Sequence, residues 1–181
     1  MIVDFEIQLA RVSGKIRAFD KGEQFSRRFN SLMYYSNYAD ELHEAALLVG
    51  NAKLIPGNVF CLLAGLSIEL LLKGILLGLQ GKFPKSHQIQ DLSLLSGISS
   101  TDDDLIILQS MSEYVSWASK YPTPKDEQSW HSAVELFGKQ RRTSGKLSSY
   151  IISEREINMD NYERLWEKYA NCFWQVYEVV H

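Results

Sequence analysis

Cysteine, histidine and proline are all scarce in this chain of 181 residues, and each scarcity excludes something. The two cysteines, Cys61 and Cys172, stand far apart in apolar helical patterns, so no disulfide framework staples the fold and both are expected to be reduced and buried. Zinc sites normally show paired ligands a few residues apart. Four histidines and two cysteines without any such spacing predict no metal, and nothing in the sequence calls for a cofactor. Both standard glycine-rich phosphate loops are absent. GLSIE, residues 65–69, lacks the second glycine of a nucleophile elbow and lies in a helical pattern, which leaves Ser67 as a small packing residue. A basic excess is missing too: with a net charge of -3, the surface as a whole is not built to hold phosphates, and any nucleic-acid binding must be local. The opening MIVDFEIQLARVSGK has acids among its first residues and not the basic-then-apolar order of a secretory signal, so a cytoplasmic location is expected.

What is present fits one soluble globular domain spanning 1–181. The length allows one sizeable core but makes two ordinary domains improbable, and 45% hydrophobic residues can fill that core. Residues 1–24 read as an extension open to two interpretations. Val3, Phe5, Ile7 and Leu9 alternate like a strand, with Ser13-Gly14 suited to a hairpin, while Ile2, Phe5, Leu9, Val12, Ile16 and Phe19 recur at helical spacing. From Phe25 to Val49 an apolar residue returns every three or four positions, which predicts a long amphipathic helix ending at Gly50-Asn51. Pro56-Gly57 and the stretch from Gly81 to Pro84 bracket a central apolar helix. Ser86 is a good N-cap for a short helix closed by Gly97. Thr101 or one of Asp102 to Asp104 can cap the next helix, whose inner stripe is Leu105, Leu108, Met111, Val115 and Ala118. Residues 122–157 read as an irregular insertion with one helical piece around Ser132 to Phe137. Asn158 or Asp160 caps a last helix with a wide apolar face, wide enough for contact on two sides or across a dimer. The order predicts an all-α fold, an antiparallel helical bundle of about five main helices with an irregular insertion before the last.

The central helix holds the most informative charges. Val59 to Leu79 is about as long as a membrane span, but Glu69 and Lys73 at its centre would each cost roughly 2.5 to 3.5 kcal/mol there, so no membrane span is expected. Four residues apart with the acid first, they can form a helical ion pair on one stripe. That pair is either a structural tie at the rim of the core or part of a pocket or dimer seam.

Several of these stretches together resemble one family. A helix over Tyr38 to Val49, then AGLSIELLLKGILL, then SHQIQDLSLL, then a helix ending in WASKYPTP, is similar to the HEPN superfamily, the higher eukaryote and prokaryote nucleotide-binding domains. Glu69, Leu72 and Lys73 match the family's E-x-x-L-K on its second helix, and Ser86-His87 matches a Ser-His pair opening the next. Where relatives end the fourth helix in Arg-Tyr-Pro, this chain has Lys120, Tyr121 and Pro122. The resemblance covers residues 25–123 and, more loosely, the last helix. It implies a small helical bundle, usually a homodimer, of the kind found in RNA-cutting toxins, in partners of nucleotidyltransferases, and in inactive RNA- or nucleotide-binding versions. Catalytic members carry an arginine followed, after four to six residues, by a histidine, and none of Arg141, Arg142, Arg155 or Arg164 is followed that way here.

Candidate chemistry is therefore sparse. His87 lacks an adjacent nucleophile or base, so it is either a packing histidine touching the Glu69 helix or, with Glu69 and Lys73, the remnant of a divergent active site. Lys139, Arg141, Arg142 and Lys146 form the only clear basic segment, a solvated loop or a phosphate contact beside Trp130, His131 and Tyr121. The preferred reading is a non-catalytic, dimeric HEPN-like protein that binds RNA or a nucleotide through Lys120, Tyr121, His131 and that loop, in a defence or toxin–antitoxin setting with an antitoxin or nucleotidyltransferase partner. The alternatives are a divergent RNase or other nucleotide-acting enzyme, and a pure protein-interaction module.

Overall fold

A helix that is apolar on every face must be enclosed by others, and the computed structural model of the chain is arranged around one such helix. It describes residues 4–10, 23–52, 57–119, 126–140 and 156–180, among which there is no strand. In chain order the helices are α1 (residues 5–10), α2 (Glu23–Gly50), α3 (Gly57–Gln80), α4 (Ile89–Ser96), α5 (Asp102–Glu113), α6 (Glu127–Gln140) and α7 (Met159–Val180). A π-helical turn, Tyr114–Ala118, continues α5. The fold is all-α, as the hydrophobic spacing predicts.

Central α3 packs against α2, α4, α5, the π turn and α7. It is the one helix among the described residues long and apolar enough to cross a membrane, yet 14 of its 24 residues are buried by the rest of the chain. Two glycines one turn apart set the closeness of this packing. A Cβ on Gly74 would lie 2.6 Å from the Phe173 ring, and one on Gly78 would lie 2.3 Å from Val176 Cγ1. The same contacts give the directions. Leu32 and Val176 meet at Gly78, Tyr35 and Phe173 meet at Gly74, and His43 reaches Tyr162 near the start of α7. So α2 runs antiparallel to both α3 and α7, whereas α3 and α7 run parallel.

The α7 face is wide because it serves three neighbours within the chain. Tyr162, Leu165, Tyr169, Phe173 and Val176 are buried, Trp166 stacks on His43 of α2, and Lys168 reaches Asp104 of α5. Its N-terminus is capped by Asn158, whose Oδ1 accepts the Asn161 N–H at 2.9 Å. Thr101 caps α5 through a reciprocal box with Asp104.

Three expectations need correction or completion. Residues 5–10 of the ambiguous extension are helical; Phe5 is buried and donates its N–H to Gly97 O at 3.0 Å, while the Ser13-Gly14 hairpin lies outside the described residues. Ser86 does not cap α4. The helix starts at Ile89, whose N–H is taken at 2.8 Å by Ser112 Oγ of α5, and Ser86 Oγ accepts the Gln88 N–H within the preceding loop. The expected irregular insertion contains a longer helix than its sequence suggests, because α6 runs through Gly138, where a side chain would meet only open space.

Candidate functional site

The charged pair of α3 is joined by the loop that follows it. Glu69 is 3% exposed and takes a hydrogen bond from Lys73 Nζ at 2.5 Å on Oε1. At the end of α3, Gly81 adopts φ 74°, a left-handed conformation that glycine enters without a Cβ clash, and the chain turns back along the helix. This return lays the Phe83 ring beneath Lys73 Nζ, 5.7 Å from its centroid, and brings His87 Nδ1 to 3.0 and 3.1 Å from the two Glu69 oxygens. An ionised carboxylate only accepts hydrogen bonds, so this contact requires the hydrogen on Nδ1, the tautomer in which the ring's lone pair is on Nε2. The His87 side chain is 56% exposed, against 12% for Lys73, so the cluster has a buried carboxylate, a shielded ammonium and one edge in water.

Aromatic contacts extend this edge onto α2. Phe83 meets Tyr35 edge-on at 5.4 Å, Tyr35 meets Tyr34 at 6.4 Å, and Tyr34 lies 4.5 Å from Tyr38. Tyr34 and Tyr38 are the exposed members, at 58% and 46%. The loop supplies two exposed lysines, Lys82 and Lys85, and no acid between Gly81 and Gln88. One continuous chain of contacts thus links two exposed phenol rings to an exposed imidazole, with lysines along the way.

Other polar clusters lie elsewhere among the described residues. Asp104, 2% exposed, holds Lys168 Nζ at 3.0 Å and Arg164 Nη1 at 2.7 Å. The arginine contact is an ion pair without an aligned hydrogen bond. Burial alone would raise this carboxyl, but the two cations outweigh it and hold it below the usual carboxylate value. Together with the Thr101 cap this cluster ties α7 to the start of α5, a structural task. In the seam between α2 and α7, His43 stacks on Trp166 with ring centroids 4.0 Å apart and planes within 3°. His43 Nδ1 lies 2.8 Å from Tyr162 Oη, which lies 2.9 Å from Ser67 Oγ, which lies 2.9 Å from Ala64 O. All three contacts are hydrogen bonds only if Nδ1–H donates to Tyr162, Tyr162 to Ser67, and Ser67 to the carbonyl. Ser67 is therefore a relay as well as a packing residue. Burial lowers the His43 pKa against the raising effect of Glu44, Asp40 and Glu163, and burial pushes the Tyr162 hydroxyl well up.

The structure brings Glu69, Lys73 and His87 together. It does not bring His131 to them among the described contacts: that ring is on the exposed face of α6, its Nε2 3.6 Å from Glu127 Oε1, a solvated pair one turn apart. Lys120, Tyr121, Arg141, Arg142 and Lys146 lie outside the described residues, as does the side chain of Lys139 on α6. Tyr34, Tyr38 and His43 are absent from the sequence-derived candidates. His43 had a readable signal, since it falls on the buried stripe of Leu32, Ala39 and Ala46. The exposed tyrosines had none, because only tertiary packing places them beside the loop. No group of three or more metal-ligating side chains occurs among the described residues. Comparisons with protein-family models, with curated proteins and with solved structures found no match to this chain.

Proposed function

We propose that the protein binds single-stranded RNA or a nucleotide, without cutting it, on the face formed by Tyr34 and Tyr38 of α2 and the loop between α3 and α4. The observation that carries this reading is the contact chain from Tyr38 through Tyr34, Tyr35, Phe83 and Lys73 to Glu69 and His87. Exposed aromatic faces accept unpaired bases, and Lys82 and Lys85 supply the local positive potential that an overall charge of -3 otherwise denies to phosphates. The resemblance of the sequence to HEPN proteins points the same way. Glu69 supports a binding role over a catalytic one, because it is buried and already committed to Lys73 and His87. A role as a divergent RNase draws support from one feature, the half-exposed ring of His87, whose Nδ1 alone faces Glu69.

Fluorescence anisotropy with a labelled oligouridine tests the reading. Each exposed ring is worth about 1–3 kcal/mol where a base stacks on it, so Tyr34→Ala with Tyr38→Ala is expected to weaken binding at least tenfold while leaving the helical circular dichroism intact. Undiminished affinity in that variant rejects this face. Cleavage that survives stringent purification and disappears in His87→Ala establishes the RNase reading.

A further inference from the structure

The Glu69–His87 pair has a chemistry that binding does not use. We infer that His87 Nε2 is a nucleophile that accepts a phosphoryl group from a small phosphoryl donor, and that Glu69 positions it. The inference uses the same face as the proposed function but does not require RNA to bind there. Three features support it. First, the carboxylate spans Nδ1 with both oxygens at 3.0 and 3.1 Å, which fixes the ring and its tautomer and leaves the lone pair on Nε2. Second, Glu69 is itself held by Lys73 and is 3% exposed, so the orienting group cannot swing away, whereas the ring it orients is half in water. Third, the loop bearing His87 carries Lys82 and Lys85 and no acid, so an anionic electrophile is favoured over a neutral one.

In the reaction the Nε2 lone pair forms the N–P bond. The bond from phosphorus to the leaving group breaks, and its electron pair departs on that group: a carboxylate from an acyl phosphate, a nucleoside diphosphate from a nucleoside triphosphate, ammonia from phosphoramidate. The positive charge this places on the ring is held by the Nδ1–H facing Glu69 until that proton is lost to solvent. Neither oxidant nor reductant is needed. His131 is the natural comparison within the chain, since it is more exposed, at 71%, but faces only an exposed glutamate at 3.6 Å.

The test is incubation of the full chain with phosphoramidate at neutral pH, followed by peptide mass spectrometry under alkaline conditions that preserve phosphohistidine. The expected result is an 80 Da addition on His87 forming at least tenfold faster than on His131, and slowed severalfold by Glu69→Gln. Parallel reactions with acetyl phosphate and with ATP and magnesium show which donor class serves. Modification of His87 no faster than that of His131 in the unmodified sequence overturns the inference, and this comparison needs no variant to fold. Because oligouridine binding is measured separately, loss of either result leaves the other standing: a reactive His87 without RNA binding sinks only the proposed function.

Discussion

Lys73→Ala is the substitution whose effect follows most directly from the geometry. It removes the ammonium 2.5 Å from a glutamate that is 3% exposed, leaving a buried carboxylate whose remaining partner is the imidazole of His87. Breaking a buried pair by deleting one member costs about 3–5 kcal/mol, because the surviving charge keeps its desolvation penalty. His87 still reaches both oxygens, so the low end, about 3 kcal/mol, is expected. The lost contact with Phe83 adds no more than about 1 kcal/mol. For a chain of this size each kcal/mol moves Tm by roughly 2–4 °C, so a loss of about 3–4 kcal/mol gives a fall of about 6–16 °C in a thermal scan followed at 222 nm. Replacing both members, Glu69→Leu with Lys73→Met, removes the stranded charge and should recover most of that loss. A Tm within about 1 °C of the original protein for Lys73→Ala alone, on the same scale, would refute the claim that this pair is desolvated.

Three other outcomes are expected. Burial holds the His43 pKa in the folded protein below its ordinary value of 6.5, so the unfolded chain binds more protons. The stability this gives is complete above 6.5 and is lost as pH falls through the folded value; denaturant titrations from about pH 7 to 5 should show the decline, and His43→Gln should flatten it. Identical glycine-to-alanine changes should have opposite signs: Gly138→Ala, facing open space, gains up to about 1 kcal/mol in helix propensity, whereas Gly78→Ala, with its Cβ 2.3 Å from Val176, loses about 1–2 kcal/mol net in a urea melt. Burial pushes the Cys61 thiol up to about 12, so a disulfide reagent at neutral pH should leave it unreacted in the native protein and label it on unfolding.

The long helices were legible because their signals are long. α2 and α7 repeat an apolar residue every three or four positions over more than twenty residues, and α3 is bracketed by Pro56-Gly57 and Gly81. Smaller features were not legible where the deciding group is remote in sequence. The start of α4 depends on a serine 23 positions downstream, so Ser86 looked like its cap. From sequence α6 reads as a short piece because Gly138 counts as a breaker locally, although the helix tolerates it on an open face. The candidate site divides the same way. A helical pair at i and i+4 could be read from spacing, and the resemblance marked Ser86-His87, but the contact of His87 with Glu69 depends on the reversal at Gly81. The exposed tyrosines joined the site only through Tyr35 and Phe83.

The most direct test of a binding face at this loop is the salt dependence of oligouridine affinity, compared between the original protein and a Lys82→Ala, Lys85→Ala variant. Each phosphate released from a lysine reduces the slope of log affinity against log salt by about 0.7 for a single strand. Weaker binding and a slope shallower by about 1.4 are expected in the variant. Equal affinity and equal slope in the two proteins would contradict a binding face at this loop.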